Sequence, residues 1–278
     1  MDFFIACDID HTLLNDKGEL LVANRRALDK ARALGATVIL ATARSFAGAV
    51  SVHKELGLET PLVVNNGTLV CEPDGAVLMA QTIDPAIAKN VVPLFQETPH
   101  HWSFRTSTSA FIHPQFDTSR PPFTDGRHYR KTDHHRLNDE LGDYSTLITA
   151  SLFGVPLRSF YYEHDWLKMT LTADYYPPSH YNPLEAMSVM STQASKGNAV
   201  RWLRDYLGLS KAPTLCLGDS VADASMFPLG VGVAPKNAAT EVRAQADWIA
   251  PHCDHGAVAA TLERYVFTEG KRIVTTGE

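Results

Sequence analysis

The sequence predicts a doubly wound α/β protein, a parallel sheet covered by helices, with a second α+β domain inserted into it. Three observations lead there. Short apolar runs at Phe3–Cys7, Thr37–Ala41 and Leu62–Val64 alternate with helical patterns at Val22–Leu34 and Phe46–Leu56, and strand–helix alternation implies parallel pairing. The same rhythm returns after about residue 196, where Gly197–Leu207 precedes the apolar run Thr214–Leu217. Between the two stretches the pattern breaks. Eight of the twelve histidines lie from His100 to His180, and Pro114–Arg136 is polar and matches no element. The expected division is 1–82 and 188–278 for the core and 83–187 for the insertion.

Taken in order, the first strand ends at Cys7, and Leu13–Leu21 reads as a short hairpin turning at Asp16-Lys17-Gly18. Helix 22–34 carries Ala23, Ala27, Ala31 and Leu34 on one stripe and stops at Gly35. The second strand ends at Thr42, the next helix closes at Gly57, and the third strand ends at Asn65-Asn66-Gly67. A hairpin across Pro73-Asp74-Gly75 joins Leu69–Cys71 to Val77–Met79. Asp84-Pro85 reads as an N-cap followed by proline at the first helical position, opening a helix to Phe95. Strands are expected in the insertion at Trp102–Arg105, Ala110–His113 and Leu167–Thr172. Strands Val231–Ala234 and Trp248–Ala250, with helices Ala238–Ala246 and Ala257–Phe267, complete the second half.

At 278 residues, 45% hydrophobic and 20% charged, the chain can bury a large core and has an ordinary globular composition. A formal net charge of −6 argues against general nucleic-acid binding. No apolar run is long enough for a membrane span. Asp2, Asp8 and Asp10 interrupt the first apolar run, which therefore does not read as a signal peptide. Cys7, Cys71, Cys216 and Cys253 form no CxxC pair, so free buried thiols and a reducing cytoplasm are expected. A monomer or homodimer fits this composition.

The chemistry begins at Asp8-Ile9-Asp10-His11-Thr12. Acidic residues at the carboxyl end of a core strand lie where open α/β sheets bind ligands. Strand alternation sends Asp8 and Asp10 the same way. Two adjacent carboxylates repel, which favours a hard divalent cation between them. Thr42, Lys196 and the pair Asp219 and Asp223 stand at or just beyond other core-strand ends. His11 should point away from Asp10, a structural position.

With these residues in register, the chain resembles the haloacid dehalogenase superfamily of aspartate-nucleophile phosphatases. Its DxDxT corresponds to Asp8–Thr12, its strand-end hydroxyl to Thr42, its helix-start lysine to Lys196, and its GDxxxD to Gly218–Asp223. Ala41-Thr42-Ala43-Arg44, Asn66-Gly67-Thr68, Leu184-Glu185 with Ser195-Lys196-Gly197, and Asp254-His255-Gly256 resemble motifs of the Cof-like sugar-phosphate phosphatases, whose large α/β cap lies between the second and third motifs. Two positions depart from the pattern. Ala43 replaces a glycine, and Ala222 stands where asparagine is common, a change expected to act on the surroundings of the metal or phosphate.

The resemblance implies that Asp8 attacks phosphorus and Asp10 acts as general acid, then base. Mg²⁺ would be held by Asp8, the Asp10 carbonyl and Asp219, with Asp223 orienting its shell. Thr42 and Lys196 would hold the phosphoryl oxygens. A like-charge pair near 4 Å costs about 4 kcal/mol at an effective dielectric of about 20, so attack by Asp8 on a phosphate dianion requires such cations. Arg44 is either a substrate contact or a helix-start surface charge, and Asn66 either a leaving-group contact or a turn residue. The implied partner is a small phosphorylated metabolite, most simply a sugar phosphate. A phosphomannomutase-like phosphomutase and a catalytically silent phosphate-binding module are the alternatives; the four retained carboxylates weigh against the silent one.

Overall fold

The computed structural model describes residues 3–116, 129–131, 134–154, 157–176 and 184–267. The chain divides into two compact units, Met1–Leu78 with Ser195–Glu278, and Met79–Ala194. In chain order the first stretch holds β1 (Phe4–Cys7), α1 (Val22–Ala33), β2 (Thr37–Leu40), α2 (Phe46–Glu55), β3 (Leu62–Val64), β4 (Leu69–Cys71) and β5 (Val77–Ala80). The second unit holds α3 (Pro85–Gln96), β6 (His101–Thr106), β7 (Ala110–Ile112), β8 (Tyr129–Lys131), α4 (His134–Leu141), β9 (Leu147–Phe153), α5 (Leu157–Glu163), α6 (Asp165–Thr170), β10 (Leu171–Tyr176) and β11 (Ala186–Ser191). The chain then returns to the first unit through α7 (Lys196–Tyr206), β12 (Thr214–Leu217), α8 (Val221–Ala224), β13 (Val231–Pro235), α9 (Thr240–Arg243), β14 (Trp248–Ala250) and α10 (Ala257–Leu262).

The first unit is built on a five-stranded parallel sheet in the order β14-β13-β12-β1-β2. β1 lies between β12 and β2, and all four of its side chains are fully buried. A strand covered on both faces has no polar side, which is why Phe4-Ile5-Ala6-Cys7 is continuously apolar. Register places the strand ends side by side. Cys7 stands level with both Leu217 and Leu40, so the residues just after β1, β12 and β2 emerge along one edge. Those residues are Asp8, Gly218-Asp219 and Ala41-Thr42.

The third strand departs from expectation. β3 pairs antiparallel with β4 in a separate three-stranded sheet, β3-β4-β5. Its link to β2 is reduced to a parallel bridge between Ala41 and Val63, with Thr42 N donating to Val63 O at 2.9 Å. The hairpin 69–71/77–80 supplies a nearer partner than the parallel sheet does.

The second unit carries a six-stranded sheet in the order β10-β11-β9-β6-β7-β8. Alternation gives it one apolar face. Trp102, Phe104, Ala150, Leu152, Met187 and Val189 pack with Ala88, Val91, Val92 and Phe95 of α3 in one buried cluster. The residues between them put hydroxyls on the opposite face, where Ser151 and Ser188 hydrogen-bond at 2.8 Å. Two expectations are corrected here. Residues 167–170 are helical, with Lys168 paired to Asp165 and Thr170 bonded to Trp166 O, and the strand runs from Leu171 to Tyr176. The expected border at 187/188 would cut β11, which pairs along its length with β9 and β10, so the units change at 194/195 instead. Pro114–Arg136 falls largely outside the described residues.

Asn24, fully buried in α1, joins three segments of the first unit. Its Nδ2 donates to Leu13 O at 2.9 Å, and its Oδ1 accepts from Ala259 N of α10 at 3.0 Å. Asn24→Ala leaves a buried carbonyl and a buried amide without these partners. We expect a loss of about 2–4 kcal/mol in urea unfolding, measurable without any substrate.

Candidate active site

β1 ends in an irregular turn rather than a continued strand. Asp8 is still extended (φ −70°, ψ 159°), but Ile9–Leu13 coils into one wide turn in which His11 adopts φ 54°. The turn separates the two carboxylates that strand alternation would have kept together. Asp8 is 4% exposed, whereas the Asp10 side chain is 45% exposed.

Lys196 sits at the first position of α7, below the N-cap Ser195, whose hydroxyl accepts from Asn198 N. The lysine is 2% exposed. Its Nζ donates to Asp8 Oδ1 at 2.7 Å and to Asp223 Oδ1 at 2.5 Å. The second oxygen of Asp223 accepts from Asp219 N (3.2 Å), Ser220 N (2.9 Å) and Ser220 Oγ (2.6 Å). Ser220 and Asp223 thus form a capping box on the short α8. Thr12 Oγ1 donates to Asp219 Oδ1 at 3.2 Å.

Close backbone approach makes this packing possible. A Cβ on Gly67 (φ 85°) would lie 2.1 Å from Ser195 O, and one on Gly218 would lie 2.1 Å from Asp223 Cβ. Neither position admits a side chain, so the glycines let the lysine helix and the Asp223 turn close on the end of β1.

One oxygen from each of Asp8, Asp219 and Asp223 lies within 4.8 Å of the others. Burial, followed by the charge of Asp223, holds the Asp8 carboxyl well above its ordinary range, with Lys196 opposing and Asp219 and Asp10 adding. Asp219 is pushed up to about 6 by burial and by Asp223, against His11, Thr12 and Lys196. Burial alone would lower Lys196, but Asp223 and Asp8 outweigh it and raise it. Three carboxylates face one ammonium, a formal excess of two negative charges. That deficit and the all-oxygen donor set fit one hard divalent cation. Asp223 is the least available of the three, since both of its oxygens already accept hydrogen bonds.

The other expected residues surround this cluster. Thr42 is fully buried at the end of β2; its Oγ1 accepts from Arg44 N at 3.1 Å and its carbonyl from Asn66 N at 3.1 Å. Asn66 is buried in a left-handed conformation (φ 54°) between Asn65 and Gly67. Arg44, read from the sequence as either a substrate contact or a helix-start surface charge, is turned onto Asp10. Its Nε and a terminal nitrogen bond the two Asp10 oxygens at 2.8 and 2.6 Å, and another terminal nitrogen bonds Gly48 O at 3.0 Å. The geometry therefore gathers Asp8, Asp219, Asp223 and Lys196 in one cluster and gives Asp10 a bidentate partner. Thr12 and Ser220 join the cluster as well, beyond the expected set. Thr12 closes the first motif, and Ser220-x-x-Asp223 is a capping-box spacing legible in the sequence.

This arrangement sets a cluster of buried carboxylates and one lysine at the strand edge of a parallel sheet whose chain carries an inserted α+β unit. The profile of the haloacid dehalogenase-like hydrolases matches residues 5–262, and the chain belongs to that family. Phosphatase YwpJ of Bacillus subtilis (strain 168) is 25% identical over 289 residues, covering 93% of this chain and 98% of that protein. HMP-PP phosphatase of Cronobacter sakazakii is 26% identical over 269 residues, covering 94% of each. The structure of BT4131, described as a subclass IIB sugar phosphatase of the family, has the same fold. Its TM-score is 0.74 at 18% identity, covering 95% of this chain and 98% of that one. Within its family this chain is a phosphatase.

Lys196→Met leaves Asp8 and Asp223 buried without their cation. We expect about 3–5 kcal/mol of destabilisation in metal-free urea unfolding. Adding Asp223→Asn should recover part of it, a coupling that a double-mutant cycle measures.

Proposed function

We propose that this phosphatase hydrolyses phosphomonoesters of small organic molecules, a phosphorylated sugar foremost, through an aspartyl-phosphate on Asp8. The observation that carries the reading is the buried Asp8 carboxylate at the strand edge, held by Lys196 and faced by Asp219 and Asp223. Asp8 Oδ attacks phosphorus and the bond to the leaving oxygen breaks, with Asp10 donating a proton to that oxygen. Asp10 then takes a proton from water as the water attacks phosphorus and releases Asp8. Arg44 fixes the Asp10 carboxyl in one orientation through both of its oxygens. Thr42 and Lys196 hold phosphoryl oxygens. Asp8, the Asp10 carbonyl and Asp219 would hold Mg²⁺, which neutralises charge between nucleophile and phosphate. Asp223 orients Lys196 and the Asp219–Ser220 turn.

Among the described residues no helix is long and apolar enough to cross a membrane. All four cysteines are free and buried, which supports a reading as a cytoplasmic enzyme. The names of the relatives support a small phosphorylated metabolite as substrate, so a test panel should hold HMP-PP alongside sugar phosphates.

Asp8→Asn preserves shape and removes the attacking charge. Phosphate release should fall at least about 1,000-fold while the circular dichroism spectrum stays native; retention of a tenth of wild-type turnover would exclude Asp8 as nucleophile. A sugar phosphate returned mainly as its isomer, with little free phosphate, would indicate a phosphomutase.

Chelation should abolish turnover. Mg²⁺ should restore it and Zn²⁺ should restore it poorly, since the donors are all oxygen. Full activity in excess chelator would remove the cation from the mechanism.

A further inference from the structure

Among the described residues a second cluster of metal-ligating groups lies in the first unit: Asp16, His252, Cys253 and Asp254. Its donors differ in kind from those around Asp8. It offers a thiol, an imidazole and two carboxylates, all with ligand atoms within 4.8 Å of one another. We propose that these four residues form a distinct metal site for a borderline divalent transition metal, Zn²⁺ or Co²⁺.

The separations support tetrahedral coordination. Metal–sulfur bonds of about 2.3 Å and metal–nitrogen or –oxygen bonds of about 2.0 Å place sulfur about 3.5 Å from each other ligand atom at a tetrahedral angle, and nitrogen about 3.3 Å from oxygen. Cys253 Sγ lies 3.4 Å from Asp16 Oδ1, 3.6 Å from His252 Nδ1 and 4.0 Å from Asp254 Oδ1. His252 Nδ1 lies 3.6 Å from Asp254 Oδ2. The separations from sulfur to Asp16 and His252 already match the tetrahedral value to within about 0.1 Å. Asp254 presents Oδ1 toward the sulfur and Oδ2 toward the imidazole, so a turn about its side-chain torsions brings one oxygen into the fourth position.

The surroundings have the organisation a metal site needs. Cys253 is fully buried beneath more exposed partners, the usual depth for a thiolate ligand covered from solvent. His11 Nδ1 lies 2.9 Å from Asp16 Oδ1, so the carboxylate has an orienting partner of its own. Asp16 N donates to Asp254 Oδ1 at 3.0 Å, coupling the two acidic residues. An open cleft of about 760 Å³ borders His252, Asp254, Asn237 and Lys236 and gives an ion access. Binding exchanges the Cys253 thiol proton for the metal and releases that proton to solvent. It also displaces the 3.2 Å contact in which His252 Nδ1 accepts from Asp254 N.

The cluster adjoins the turn after β1. Asn237 Nδ2 donates to His11 O at 2.7 Å while its Oδ1 accepts from Cys253 N at 2.9 Å. His11 is the next residue after Asp10, so metal at Cys253 braces the turn carrying Asp10. Its role is positioning, not catalysis.

The test uses the full chain, stripped of metal and then held in saturating Mg²⁺ so that the oxygen site is filled. Titration with Co²⁺ should produce a near-ultraviolet thiolate-to-cobalt absorption band that saturates at one equivalent and is bleached by Zn²⁺. Cys253→Ser should abolish the band. His252→Ala, which keeps the thiol, should weaken Co²⁺ binding at least about tenfold, which guards against a Cys253 variant that fails to fold. Asp8→Asn should leave the band intact. Absence of the band in the wild-type protein, its persistence in Cys253→Ser, or its loss in Asp8→Asn would each overturn the site. None of these readings involves turnover, so the outcome is independent of the proposed reaction.

Discussion

The Lys196 ammonium, buried between Asp8 and Asp223, is the interaction on which the rest of the first unit depends. An ammonium and two carboxylates withdrawn from water each carry a desolvation cost of several kcal/mol. They are tolerable together because the two N–H···O contacts are short and the second oxygen of Asp223 is bonded to the Asp219–Ser220 turn. The triad also ties segments far apart in sequence: the end of β1, the start of α7 and the turn into α8. Its demand for close approach explains why glycine stands at 67 and 218, where a methyl group would strike backbone or the Asp223 side chain.

The charge balance around the triad is incomplete. One ammonium cannot neutralise three carboxylates, and the raised Asp8 and Asp219 carboxyls express the remaining repulsion. A cluster left with two uncompensated negative charges is relieved by a divalent cation, so a demand for one is built into its electrostatics. Strain of this kind is tolerated where it serves function.

Much of the first unit was legible in the sequence because its signals are local. β1, β2 and β12 are largely apolar runs, and each ends at a residue to which the proposed reaction gives a role. Asp84-Pro85 announces α3, and the Asp84 side chain does accept from Ala86 N. What was not legible depends on partners distant in sequence. Arg44 looks like a helix-start charge until the turn after β1 swings Asp10 toward it from 34 positions away. β3 reads as a core strand, yet the nearby hairpin captures it. In the insertion, residues 167–172 are apolar enough for a strand, but the Asp165–Lys168 pair and the Thr170–Trp166 bond favour a last helical turn. The family resemblance supplied Lys196 and Asp223, whose spacing of 27 residues carries no physical signal by itself.

The shared register of β1, β2 and β12 has an evolutionary corollary. Because Cys7, Leu40 and Leu217 end level, adding or deleting one residue in any of these strands would shift its edge residue by about 3.3 Å and turn it to the other face. Even one such indel would separate Asp8, or the Asp219–Asp223 turn, from Lys196 while leaving hydrophobic content nearly unchanged. The loops beyond the edge face no such rule. Length variation in descendants of this chain should therefore accumulate between core elements and spare the strands, making strand length a more conservative record of ancestry than residue identity.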